Sequence, residues 1–342
     1  MKKILYIGDD KLSSTSRHRF EALKRLGYDA IIYNPRQKLN IFFYFSLFNF
    51  FHYHTGYFFL QKVIKKWIEN ILAISGNIDL IWVNNGEFFG PSCLIALRAK
   101  GCPVILYNND DPCGGRDGNR FRALKKSIPF YDLCAVVRDI NIIEYYNLGA
   151  KNVIRVSMSY DEVYHKPESF IKRSNTSYVS FIGTWMRYEK RDEFLLYLIE
   201  KKIPVTIYGD HWNKSKYYDK LKNYIKGPAI YNQDYVSGIQ GSKICLGFLS
   251  KGNRDLYTRR SVEIPFIGSL FVAERTPEHE KMYLDGNEAF FWSNKEECAS
   301  ILIKLLSDHD LIEKVRIAGM KRVRDLKVGN EDICKAILNN IL

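Results

Sequence analysis

Residues 3–33 read KILYIGDDKLSSTSRHRFEALKRLGYDAIIY. A short apolar run at 3–8 meets a polar loop at 9–16 that holds two acids and four hydroxyl residues. From Arg17 onward Phe20, Leu23 and Leu26 recur at helical spacing, and Gly27 stops the pattern. A second apolar run follows at 30–33. Strand, loop, helix, strand is the opening of a βαβ unit, and its repetition implies a parallel sheet covered by helices.

The alternation does repeat. Apolar runs at 80–83, 104–107, 134–137 and 153–156 are interleaved with helical segments at 93–100 and 142–148, which end at Gly101 and Gly149. The polar stretch 164–177, with His165, Lys166, Pro167, Glu168 and Ser174, reads as a linker. The pattern then restarts with strands at 178–182, 205–208, 244–248 and 270–272, and helices at 191–201 and 260–266. Amphipathic helices at 297–307 and 311–323 precede a last helix at 331–342. The expected fold class is α/β, with two Rossmann-like domains at 1–163 and 164–325, and with 326–342 packing back on the first.

Composition agrees. A chain of 342 residues suits two domains, and 46% hydrophobic with 26% charged residues excludes disorder as the main state. A net charge of +13 favours anionic partners. The basic residues are spread along both halves rather than in one stripe, which argues against nucleic acid. The seven cysteines show no CxxC or zinc spacing, so a reduced cytoplasmic protein without a metal centre is expected. MKKILYIGDD does not read as a signal peptide, because its apolar stretch is short and meets two acids.

Residues 41–60, IFFYFSLFNFFHYHTGYFFL, are long enough to reach across a bilayer, but Asn49, His52, His54 and Gly56 interrupt them. Two readings stand: a buried helix, or an aromatic surface in a membrane interface, continued by Lys62, Lys65, Lys66 and Trp67.

Four loops follow apolar runs and are the places for chemistry. Ser13 to Arg17 offers hydroxyls beside a helix start, as an anion site or as a cap. NNDDP at 108–112 places Asp110 and Asp111 to orient an acceptor hydroxyl, or builds a turn. FIGTWMRYEKR at 181–191 ends a strand at Gly183 and supplies Arg187, Lys190 and Arg191 at a helix start, a pattern suited to a diphosphate. KGNRDLYTRRSVEIPFIG at 251–268 carries Arg254, Arg259 and Arg260, with Glu263 on the same helix face as Arg260.

The 181–191 loop, VTIYGDHW at 205–212 and NRDLYTRRSVEIPFIGSLFVAERTPEHEKMYLDGNEAFFW at 253–292 resemble glycosyltransferases similar to spore maturation protein CgeB, as do the first βα unit and NNDDP. Residues 36–75 have no counterpart in that resemblance. It implies the GT-B fold, two Rossmann-like domains facing a central cleft. It also implies transfer of a sugar from a nucleotide-sugar to a glycan, lipid-linked or surface-polysaccharide acceptor, with no metal or other cofactor. The better-known relatives retain, which favours retention; inversion, with Asp110, Asp111 or Glu87 as general base, stays open. Glu263 matches a Glu that holds the donor ribose, while the position eight residues earlier is Asp255 where a second Glu stands in relatives. Donor contacts are expected from Gly183, Thr184, Arg187, Tyr208, Gly209, Arg254, Asp255, Thr258 and Glu263. Arg191 and Arg260 are expected to stabilise the leaving phosphate, and Glu87, Asp110 and Asp111 to serve the acceptor hydroxyl. The expected location is cytoplasmic, at the inner face of the membrane through residues 41–67. The rival classes are a non-catalytic nucleotide- or sugar-binding module in surface-polymer assembly and a basic nucleic-acid-binding protein.

Overall fold

Ile4, Leu5, Tyr6 and Ile7 are wholly buried, as a strand covered on both faces of a parallel sheet must be. The computed structural model describes residues 1–168 and 177–341, so part of the linker expected at 164–177 lies outside the described residues. The chain divides into two compact units, Met1–Ser157 with Gly252–Arg254 and Asn330–Leu342, and Met158–Lys251 with Asp255–Gly329.

The first unit runs β1 (Lys3–Ile7), α1 (Thr15–Arg25), β2 (Asp29–Tyr33), α2 (Pro35–Phe43), α3 (Ser46–His54), α4 (Gln61–Ile74), β3 (Leu80–Asn84), α5 (Pro91–Arg98), β4 (Val104–Asn108), α6 (Arg122–Ser127), β5 (Leu133–Val136), α7 (Asp139–Asn147) and β6 (Val153–Arg155). Its six strands lie in the order β2-β1-β3-β4-β5-β6, and all are parallel. Ser14 caps α1 by accepting from the Ser16 amide, which is why the hydroxyl run precedes that helix. Ile64, Ile68 and Ile71 form the buried stripe of α4, and α4 packs on α5. Each such side chain contributes roughly 1.5–3 kcal/mol on full burial.

The second unit runs β7 (Ser177–Ile182), α8 (Arg191–Glu200), β8 (Val205–Tyr208), α9 (Tyr218–Leu221), β9 (Ile225–Gly227), α10 (Asn232–Gln240), β10 (Ser242–Gly247), α11 (Arg260–Ile267), β11 (Leu270–Glu274), α12 (Pro277–Met282), β12 (Phe290–Trp292), α13 (Lys295–Leu306) and α14 (His309–Asp325). Its order is β12-β11-β10-β7-β8-β9, again all parallel. The last helix, α15 (Asn330–Leu338), packs on α1 of the first unit, where Arg25 meets Glu331 at 2.6 Å.

The aromatic segment corrects one expectation. A buried helix does not form across 41–60: Phe45 is extended, Gly56 and Tyr57 take positive φ, and the chain breaks into α2, α3 and a short turn at Phe58–Leu60. Tyr44, Phe45, Leu47, Phe48, Phe50, Phe51, Phe58 and Phe59 are all exposed. Among the described residues no helix is long and apolar enough to cross a membrane.

Gly209 shows how tightly the second sheet's loops pack. At its φ of 153°, a Cβ would lie 2.0 Å from the Gly183 carbonyl oxygen. Gly209→Ala should therefore destabilise the chain by about 1–3 kcal/mol, the usual cost of overpacking. A urea denaturation midpoint unchanged from wild type would contradict this packing.

Candidate functional site

In a parallel sheet the polar groups gather at the carboxyl ends of the strands, above all where the strand order reverses. In the second unit that reversal falls between β7 and β10, whose chain connections leave in opposite directions. A cavity of about 320 Å³ opens there and continues over β11 and β12. Its apolar wall is Phe194, Phe248 and Trp292, with ring centroids 5.0–5.6 Å apart. Its cations are Lys190, Lys251 and Lys295, and the carboxylates of Glu189, Glu193, Glu274 and Glu296 share the lining. Lys251 has one acidic neighbour, Glu274, at 3.6 Å, whereas Lys190 and Lys295 make no ion pair among the described residues. Lys190 holds φ 51° at the start of α8, a left-handed conformation that costs a non-glycine residue roughly 1–2 kcal/mol. Such strain gathers at functional sites. An aromatic shelf can take a ring system, the ammonium groups a diphosphate, and the carboxylates can accept from hydroxyls, a mixed lining that suits a nucleotide-sugar rather than a bare anion.

The loops beside the cavity are fixed by buried polar groups. Arg191 donates to the Thr184 and Leu249 carbonyls at 2.9 Å each, tying the loop after β7 to the loop after β10. The Trp212 indole donates to the Gly183 carbonyl at 3.0 Å. Glu263, on α11, is 1% exposed. It accepts from Arg260 at 2.5 Å and from the Tyr235 hydroxyl at 2.6 Å, with Arg259 at 3.5 Å and His165 at 3.8 Å. Burial alone would raise its carboxyl, but the charges of Arg259 and Arg260 overcome this and hold it well below the usual carboxylate range. Burial pushes the His165 imidazole down, against the pull of Glu263. Ser261 accepts from the Thr258 amide at 3.0 Å and faces His279 at 2.8 Å, securing the start of α11.

In the first unit the strand order reverses between β1 and β3. The cavity there is about 200 Å³ and polar, lined by Ser14, Thr15 and Ser16 from the start of α1 and by Asn85 and Glu87 after β3. Glu87 is buried and bridges two guanidiniums, Arg36 and Arg120, at 2.6 Å each. Asp110 stands behind them, accepting from Asn85 at 2.7 Å. Asp110 does not line this cavity, and neither does Asp111. The Asp111 carboxylate is clasped by Arg254 at 2.6 and 2.7 Å, and Arg254 also donates to Glu144 at 2.8 and 2.9 Å. Burial would raise the Asp111 carboxyl, yet the hydrogen bonds from Arg254 and Asn141 bring it below its ordinary value.

The structure thus gathers the sequence-derived residues into separate groups. Gly183, Thr184, Arg191, Tyr208 and Gly209 meet where β7 and β8 end. Arg187 is exposed on the same loop. Thr258, Arg260 and Glu263 lie around the start of α11, and Asp255, nearby in the chain, is buried. Arg254 pairs with Asp111, and Glu87 lies near Asp110 through their shared contact with Arg120. Lys251, Lys295, Phe248 and Trp292 were not singled out from sequence; their signal is only that each lies at or just past a strand's carboxyl end. Among the described residues no group of three or more His, Cys, Asp or Glu is placed to hold a metal ion.

Comparison with known proteins agrees with this geometry. A family model described as "Glycosyl transferase-like" matches residues 190–328. None of the curated proteins matches the chain. Among solved structures, Anabaena Alr3699/HepE in complex with UDP-glucose is similar at TM-score 0.69 and 14% identity over 99% of both chains. A sucrose-phosphate synthase from Thermosynechococcus elongatus is similar at TM-score 0.67 and 12% identity, over 99% of this chain and 98% of that one. A putative UDP-N-acetylglucosamine 2-epimerase from Listeria monocytogenes follows at TM-score 0.62 and 11% identity, over 99% and 95%. The chain has the GT-B fold, built on two Rossmann-like units.

Two outcomes follow. Glu263→Gln should cost roughly 2–4 kcal/mol at pH 7, below the ~3–5 for a wholly buried pair, because the Arg259 and Arg260 side chains keep 37% and 29% exposure. The carboxyl is depressed in the fold, so its contribution is present above the unfolded value near ~4.3 and is lost at lower pH. Chemical denaturation should show the gap between wild type and variant narrowing below about pH 4; a gap constant down to pH 3 would contradict the assignment. Lys190→Gly should hold or raise stability by up to ~1 kcal/mol by relieving the left-handed strain. The same variant should weaken nucleoside diphosphate binding in calorimetry, and unchanged affinity would remove Lys190 from the site.

Proposed function

We propose that this chain is a glycosyltransferase, of the CgeB-like kind the sequence resembles. It would transfer a sugar from a nucleotide-sugar to a glycan, lipid-linked or surface-polysaccharide acceptor, without a metal and with retention. The observation that carries the proposal is the cavity where the second sheet's order reverses, with three lysines beside an aromatic wall. The match of residues 190–328 to a glycosyltransferase-like family model supports it.

In this reading the second unit takes the donor. Phe248 and Trp292 flank the base or sugar, and Lys190 and Lys251 lie on the diphosphate. As the bond from C1 to the phosphate oxygen breaks, its electron pair goes to the diphosphate, and the ammonium groups stabilise that charge without a cation. Arg260, partly exposed, adds positive potential, while Arg191 positions the two loops through their carbonyls. Glu263 orders α11 and would reach the ribose only if Arg259 or Arg260 shifts. The first unit takes the acceptor in its polar cavity, where Glu87 orients the hydroxyl and Asp110 holds Asn85 and Arg120 in place. With retention, the acceptor oxygen joins C1 on the face the phosphate leaves, and the hydroxyl proton passes to the departing phosphate. The chain would work in the cytoplasm at the inner face of the membrane.

Alr3699/HepE was solved with UDP-glucose, so UDP-sugars come first in a test. UDP release from a panel of UDP-sugars, without acceptor and with EDTA present, should show a slow leak that EDTA leaves unchanged. Nucleotide binding with no release from any nucleotide-sugar would replace the transferase with a non-catalytic binding module. Release abolished by EDTA and restored by manganese would overturn metal independence. Lys251→Gln should lower the release rate about ten- to a hundred-fold, below the roughly hundred- to thousand-fold for losing a fully enclosed electrostatic stabiliser, because Lys251 is largely exposed.

A further inference from the structure

The polar cavity of the first unit has an apolar neighbour. The segment after β3 serves both: Gly86 to Phe89 line the polar cavity, and Gly90, Pro91 and Ser92 line a groove of about 580 Å³. The groove's other walls are Gly56, Phe58, Phe59 and Ala123. Phe58 and Phe59 are 62% and 60% exposed despite lining it, and Phe51 stacks on Phe59 at 5.4 Å. At the rim stand Lys62, Arg122 and Lys126, none with an acidic partner among the described residues.

Charge decides what covers this face. Between residues 34 and 75 Glu69 is the only acid, against Arg36, Lys38, Lys62, Lys65 and Lys66. A second copy docked face to face would set these cations against each other, which is repulsive. An anionic amphiphile satisfies both the rings and the cations. A groove of this volume falls within the range of small-molecule sites.

We propose that the groove binds one alkyl chain of a phosphate-bearing membrane lipid, with Lys62, Arg122 and Lys126 on the phosphate and the rings of Phe58 and Phe59 along the chain. The segment after β3 then has a chain-binding side and a polar side, a layout that fits an acceptor carried on a lipid. The proposal rests on the transferase reading only in that last respect, because lipid binding itself needs no turnover.

The test uses the full chain and two probes. Monomeric dodecyl phosphate is titrated by calorimetry beside inorganic phosphate, and sedimentation is followed with vesicles of phosphatidylcholine with or without phosphatidylglycerol. Wild type should bind dodecyl phosphate and ignore inorganic phosphate. It should sediment with the anionic vesicles at low salt and release as salt rises. The triple variant K62Q/R122Q/K126Q should lose on the order of a hundred-fold in vesicle partition, from about 1 kcal/mol for each basic residue. Ser92→Trp, which fills the groove from its exposed rim, should lose dodecyl phosphate binding. Phe58→Ser with Phe59→Ser should lose both. If that pair fails to fold, the rim variants, all at exposed positions, decide the matter alone. The proposal is overturned if wild type ignores anionic vesicles, if the triple variant binds like wild type, or if inorganic phosphate binds as well as dodecyl phosphate. It is also overturned if light scattering shows a dimer that the Phe58 and Phe59 changes dissolve while vesicles go unbound. UDP release measured without lipid separates the two readings: its loss with lipid binding intact removes the transferase alone, and its survival without lipid binding removes only this groove.

Discussion

Both cavities of this fold arise where a parallel sheet reverses its strand order. β7 and β10 are hydrogen-bonded neighbours, yet the connections that follow them run to opposite sides. Their carboxyl ends must diverge, and the gap becomes a cavity whose walls are loops rather than core. β1 and β3 do the same in the first unit. Strands such as β3 and β11 are buried except at their last residues, Asn84 and Glu274, which line the two cavities, so the sheets offer polar groups only at their carboxyl ends. Away from the reversal, between β7 and β8, the loops instead pack backbone against backbone, as the close approach of Gly209 to Gly183 shows.

Electrostatics then separate the cations that hold the fold from those that are free to bind. Guanidinium groups are largely committed: Arg191 to carbonyls, Arg254 to Asp111 and Glu144, Arg260 to Glu263, and Arg120 to Glu87. Their planar forks suit multiple fixed acceptors. The ammonium groups of Lys190, Lys295, Lys62 and Lys126 make no ion pair among the described residues.

This division explains what sequence revealed. The run 3–33 was legible because its apolar spacing switches from strand to helix period and its Ser14 cap and Gly27 stop are local signals. β9 and β12 escaped notice: each has three residues, and β9 includes Lys226 and Gly227, which break an apolar run; β6, equally short, was legible because its apolar run continues to Val156. The loops that form the site were legible from their place after apolar runs. Which side chains face the cavity was not: Arg191 and Lys190 are adjacent, and only the left-handed turn at Lys190 decides which one is spent on carbonyls. The aromatic segment kept two readings open because buried and lipid-facing stripes share one composition. Its breaks at Phe45 and Gly56, and its exposure, come from tertiary placement.

The central claim is that the donor diphosphate lies over the carboxyl ends of the second sheet. Hydrogen–deuterium exchange with and without a UDP-sugar, in EDTA, tests it most directly. The account predicts protection concentrated in residues 183–191, 248–251 and 292–296, which line or flank the cavity. Protection confined to the first unit, or none under conditions where binding is saturated, would contradict it.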